Sequence, residues 1–127
     1  MSRNVCWRDG RSRVYAVEVG QESGISIGYP AALSAAGELR PVGVDAADRV
    51  PGIVWQIYVA ATPDGQSLAQ VDNGTALLPV DNSVTPAMLL HDVGVTPDGV
   101  VTELVDGVNK LGLLVELADG GAWVEVG

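Results

Sequence analysis

Apolar and polar residues alternate in short runs along most of the chain. The clearest run is 53–60, where Ile53, Trp55, Ile57 and Val59 fall on one face and Val54, Gln56, Tyr58 and Ala60 on the other. That is the period of a β-strand, and it places Trp55 in the core. Further strands are predicted at 14–19, 68–72, 75–80, 100–105, 111–117 and 122–126. Between them lie Asp-Gly at 9–10, 64–65, 98–99, 106–107 and 119–120, and Asn73-Gly74, pairs that accept the positive φ of tight turns. Asp72-Asn73-Gly74-Thr75 is expected to form a two-residue hairpin. A strand every 8–12 residues or so predicts an all-β chain, or a β-rich one with at most short helices, in a small sandwich or barrel-like domain.

Two segments read partly as helices. Residues 30–36 and 86–92 each open on proline and have glycine shortly after. Each is only about two turns long, which is marginal, so strand or mixed structure is preferred.

The chain also resembles itself. Thr-Pro-Asp-Gly occurs at 62–65 and 96–99. Tyr29-Pro30-Ala31-Ala32-Leu33, the Gly37 turn and Pro51-Gly52-Ile53-Val54 parallel Thr85-Pro86-Ala87-Met88-Leu89, the Gly99 turn and Leu111-Gly112-Leu113-Leu114. Two β units of similar plan, at 25–83 and 84–127, would account for this.

Composition supports the strand reading: of 127 residues, 21 are valine and 16 glycine, with 47% hydrophobic and no phenylalanine. A single domain is expected at this length. Charge adds a division. Arg3, Arg8, Arg11 and Arg13 against Asp9 give residues 1–13 a charge of +3, whereas 14–127 carry −12 of the total −9. We therefore expect a basic N-terminal arm, 1–13, before an acidic β-rich domain, 14–127. An acidic body would repel a phosphate backbone, so no nucleic-acid partner is expected. No apolar run approaches the length of a membrane span, and no hydrophobic stretch follows the basic terminus as in a secretory leader.

The search for chemistry returns little. The lone His91 lies beside Met88, Leu89 and Leu90 and reads as a structural or surface residue. Cys6 is the only cysteine, so no internal disulfide can form. Asp45 and Asp48 could share a cation with backbone carbonyls, but the sixteen acids are otherwise scattered. Asn73-Gly74-Thr75 matches a glycosylation acceptor, which the hairpin explains equally well. No catalytic, cofactor or metal site is expected, and the protein reads as no enzyme. Trp123 alternates outward and Trp7 lies in the Arg-rich arm; each could cap an edge of the barrel or anchor a contact, and both are candidate contact anchors.

The segments from Pro30-Ala31-Ala32-Leu33 through Pro51-Gly52-Ile53-Val54, and from Pro86-Ala87-Met88-Leu89 to Trp123-Val124-Glu125-Val126, resemble the head decoration (capsid-stabilising, or cement) proteins of tailed bacteriophages, including the lambda type. The resemblance implies a non-enzymatic virion protein on the outer capsid surface. Its partner would be the major capsid protein, and it would form a homo-oligomer, often a trimer, holding the coat lattice together. It transfers no catalytic residue. The capsid-contact candidates are then Arg3, Trp7, Arg8, Arg11, Arg13 and Trp123, with removal of 1–13 expected to leave the fold intact. Two alternatives stand beside it. One is another phage structural component, a tail or fibre-associated β domain. The other is a carbohydrate-binding or adhesin module using Tyr15, Tyr29, Tyr58 and Trp123.

Overall fold

The computed structural model describes residues 3–127. It is 48% strand and 5% helix, an all-β fold whose antiparallel sheet curls into a half-barrel. The strands are β1 (Cys6–Trp7), β2 (Arg11–Ala16), β3 (Pro30–Leu33), β4 (Leu39–Pro41), β5 (Arg49–Tyr58), β6 (Leu68–Leu78), β7 (Asp92–Val95), β8 (Val101–Thr102), β9 (Asn109–Ala118) and β10 (Gly121–Val126). They run in the order β4-β3-β5-β6-β10-β9-β7-β8, with β1 and β2 also paired to β6. Of the two proline-led segments, Pro30 begins a strand and Pro86–Met88 is a 3-10 turn.

β6 organises the fold, and it corrects one expectation. Asn73-Gly74 is no hairpin: β6 continues through it for eleven residues. The first half of β6 pairs with β2 and β5, the second half with β1 and β10. At the handover Gly74 takes φ +131, and the Asp9 carboxylate accepts the Thr75 amide at 2.7 Å. Partners on both sides hold the strand straight where local preference favours a turn.

The sheet contains two copies of one five-strand plan. The first spans 11–73, ordered β4-β3-β5-β6-β2; the second spans 74–126, ordered β8-β7-β9-β10-β6. The second half of β6 therefore does in the second unit what β2 does in the first. Each unit closes on itself through a parallel bridge, Val17 to Leu39 and Val80 to Val101. Matching bonds follow: the Glu18 amide donates to the Leu39 carbonyl at 2.8 Å, and the Asp81 amide to that of Val101 at 3.0 Å. The Gly28 amide donates to the Val54 carbonyl and the Val54 amide to that of Tyr29; Leu90, Leu114 and His91 repeat the pattern. Val17, Ala31, Leu39, Val54, Ala69 and Val71 line the first interior; Val80, Val93, Val101, Leu114, Ala122 and Val124 take the same places in the second. Gly52 and Gly112 also correspond, since a Cβ on either would strike a neighbouring-strand carbonyl, of Asp72 or Glu125.

The units begin earlier than 25–83 and 84–127, because β2 and the second half of β6 belong to the pattern. Thr62-Pro-Asp-Gly is not the counterpart of Thr96-Pro-Asp-Gly; Ser34-Ala-Ala-Gly is. All three make one turn, in which the Ser or Thr oxygen accepts the amide four residues on, at 2.9 to 3.3 Å, with glycine at φ near +80. The three share a local geometry, so tetrapeptide identity misaligns the units.

Trp55 leaves the core. A β-bulge between Val54 and Gln56 makes Trp55 the extra residue of β5. Ile53 and Val54 are both buried, and Trp55 is 55% exposed.

Candidate docking surface

Residues 1–13, expected as an arm apart from the body, are built into it from Arg3 onward. The expected boundary at residue 13 falls inside β2. Cys6 and Trp7 pair with Leu77 and Ala76, and Val5 and Trp7 pack half-buried against the larger core. Removing 1–13 therefore strips part of β2, all of β1 and part of the core cover, contrary to the expectation that the fold would survive intact.

The six contact candidates separate into two groups. Arg3, Trp7, Arg8 and Trp123 are engaged internally. The Arg3 guanidinium donates to the carbonyls of Gly28 and Gly99, the latter at 3.1 Å, and lies 4.2 Å from the centroid of the Tyr29 ring. Burial lowers its pKa, and the Tyr29 interaction opposes that shift. Because Gly28 lies in the first unit and Gly99 in the second, Arg3 is a strap across both. Arg8 sits on the outer face, 4.0 Å from the centroid of the Trp123 ring, and donates to Glu116 at 2.8 Å. This gives Trp123 its cover. An exposed cation–π contact contributes about 0.5–1 kcal/mol.

Arg11 and Arg13 form the second group. Both are exposed on β2, and among the described residues neither has an ion-pair partner. Val14 beside them is 55% exposed. One side of β2 bonds to β6; no described strand lies on the other side of residues 11–15. Unpaired edges bind other strands readily, and charged side chains commonly guard them. This surface was only half visible in the sequence: the arginines stood out, but the open edge follows from pairing.

Arg40 occupies the place between Asp45 and Asp48 where a cation was considered. Its guanidinium donates to both Asp48 carboxylate oxygens at 2.6 and 3.0 Å and approaches Asp45 at 3.8 Å. The Asp48 bond raises the Arg40 pKa further. No group of three or more His, Cys, Asp or Glu side chains among the described residues is placed to hold a metal. His91 and Cys6 are exposed. Of the aromatic residues considered for carbohydrate binding, Tyr29 and Trp123 lie against arginines and Tyr15 packs on the smaller core, leaving Tyr58 exposed. No described helix is long and apolar enough to cross a membrane.

Comparison with protein-family models, with curated proteins and with solved structures finds no match.

Proposed function

We propose that this protein is a non-enzymatic structural virion protein that docks on the outer surface of a phage capsid and reinforces the coat lattice, in the manner of head decoration proteins. The observation that carries the reading is the isolation of Arg11 and Arg13. They are exposed cations with no ion-pair partner among the described residues, on the open edge of an otherwise acidic domain, whereas Arg3 and Arg8 are spent on internal contacts. Such an edge favours one orientation on an acidic partner, here the major capsid protein. The acidic remainder faces solvent and discourages nonspecific association. Association as a trimer would multiply weak contacts on a symmetric shell.

Co-sedimentation of the full chain with expanded capsid shells tests the proposal. The protein is expected to pellet with shells, and Arg11→Glu with Arg13→Glu to remain in the supernatant. A wild-type protein that stays in solution at every shell concentration overturns it, as does a double variant that pellets equally well.

A further inference from the structure

The two units differ at one strand position, and the difference identifies a binding site. In the second unit, the outer side of β6 carries β1, with Cys6 opposite Leu77 and Trp7 opposite Ala76. The same position in the first unit is the outer side of β2, where Val14 corresponds to Leu77 and Arg13 to Ala76. No described strand fills it.

The backbone at this edge is set for pairing. The Val17 amide donates to the Ser67 carbonyl on the β6 side, whereas the Glu18 amide donates to Leu39 on the other. By strand alternation, the odd residues of β2 bond to β6 and Ser12 and Val14 direct their main chain outward. In the second unit the counterpart of Ser12 is Thr75, whose carbonyl accepts the Arg8 amide at 2.9 Å.

We infer that the open edge of β2 receives an extended, acidic segment of a partner protein, added antiparallel as an extra strand in the place that β1 takes in the second unit. Its register follows from β1. Read in chain direction, successive residues of the incoming strand lie opposite Val14, Arg13, Ser12 and Arg11. The recognised pattern is therefore an apolar residue, an acid, any residue and a second acid. Where the second unit buries Ala76 beside Trp7, the first presents exposed Arg13, so this slot favours a carboxylate over an indole.

Charge argues against a second copy of this chain as the occupant. Pairing β2 with β2 would bring arginines together, and the β1 of a second copy is already paired with its own β6. The chain has no two acids separated by a single residue, so it cannot supply the pattern. The inference deepens the docking reading by naming the chemistry of the docked segment, and it fails separately. Shell binding without peptide binding overturns only the strand addition; peptide binding without shell binding overturns only the capsid assignment.

The probe is a capped peptide containing Val-Glu-Thr-Glu, added to the full chain while backbone amide exchange is followed by NMR. Slowed exchange at Ser12 and Val14 is expected. Val14→Pro removes one outward amide without touching a bond to β6, and should weaken binding about tenfold. Exchanging charges, with Arg11→Glu and Arg13→Glu against a Val-Lys-Thr-Lys peptide, should restore it. Unchanged exchange at saturating peptide overturns the inference, as does equal binding by Val14→Pro or by a peptide with its two glutamates adjacent. Slowed exchange at these amides in the protein alone, rising with its concentration, would replace the partner strand with a second copy.

Discussion

Gly28 and Leu90 occupy the same place in the two units, each with left-handed backbone at φ +87 and +64 and each donating its amide across the sheet, to Val54 and Leu114. The conformation suits Gly28, where a Cβ would strike the Arg3 main chain. Leu90 adopts it under strain of about 1–2 kcal/mol, the usual cost of a side chain there. Its side chain is 70% exposed and returns little by burial. Leu90→Gly relieves the strain but gives back about 0.5–1 kcal/mol to the greater freedom of unfolded glycine. A net gain of about 0.5–1 kcal/mol in denaturant unfolding is expected, and a loss of stability would show that Leu90 holds a contact that compensates. Gly28→Ala is expected to act in the opposite sense.

Asn109 clamps one unit to the other. Its side chain, 1% exposed, accepts the Gly43 amide at 2.9 Å and donates to the carbonyls of Asp45 and Asp48 at 2.8 and 3.0 Å. All three partners belong to the loop after β4, whereas Asn109 begins β9. Asn109→Ala leaves these backbone groups short of partners and should cost about 2–4 kcal/mol. Asn109→Asp should be no milder, because a carboxylate cannot donate to two carbonyls. Urea denaturation checks both, and a loss below about 0.5 kcal/mol would mean the loop finds other partners.

Residues 3–10 are predicted to hold the body together rather than extend from it. Arg3→Ala frees two carbonyls and removes the cation from the Tyr29 ring, a loss of about 1–2 kcal/mol. Trp7→Ala opens the larger core beside Ala76 and should cost about 2–3 kcal/mol, less than a fully buried tryptophan. A chain beginning at Arg11 should melt well below the full protein. Equal melting temperatures would show that β1 contributes no stability.

β2, β5, β6, β9 and β10 and the Asp-Gly turns were legible because alternation and Asp-Gly pairs act locally, whereas the short β1, β4 and β7 carry too few alternating positions to be read, and the strand expected at 100–105 is only the two residues of β8. The similarity of the halves was also legible, through Gly52 and Gly112, where close approach to a neighbouring carbonyl leaves no room for a side chain. Their alignment was not. Asp92, rather than Pro86, takes the place of Pro30, since the same strand position opposite Ile53 or Leu113 is met by different residues. Trp55 misled for a related reason: a one-residue bulge reverses the facing of everything after it, and alternation cannot show where it falls. For the docking surface, sequence gave four arginines equal standing. Two are committed by long-range contacts to Gly28, Gly99 and Glu116, and only the folded sheet separates them from Arg11 and Arg13.

The closing contacts of the two units differ in chemistry, and the difference predicts a pH dependence. In the first unit Glu18 faces Arg40 at 3.6 Å. In the second, the corresponding Asp81 is held by Ser83, which donates to it at 2.5 Å through its side chain and at 2.9 Å through its amide, with the Thr102 hydroxyl 3.1 Å from that of Ser83. The Ser83 hydroxyl, then that of Thr102, lowers the Asp81 pKa below its ordinary 3.8. Unfolding removes these donors and returns the pKa upward, so the unfolded chain binds the proton more readily. The stabilisation is therefore complete above about pH 4 and disappears as the pH falls through the folded pKa. Ser83→Ala should lower the melting temperature at pH 7, by less than about 1 kcal/mol in stability because the site is largely open to solvent. The gap from wild type should narrow below pH 4. A gap that stays constant from pH 7 to pH 2 would show that Ser83 acts through its bond to the Glu103 amide, at 2.9 Å, rather than through the Asp81 carboxylate.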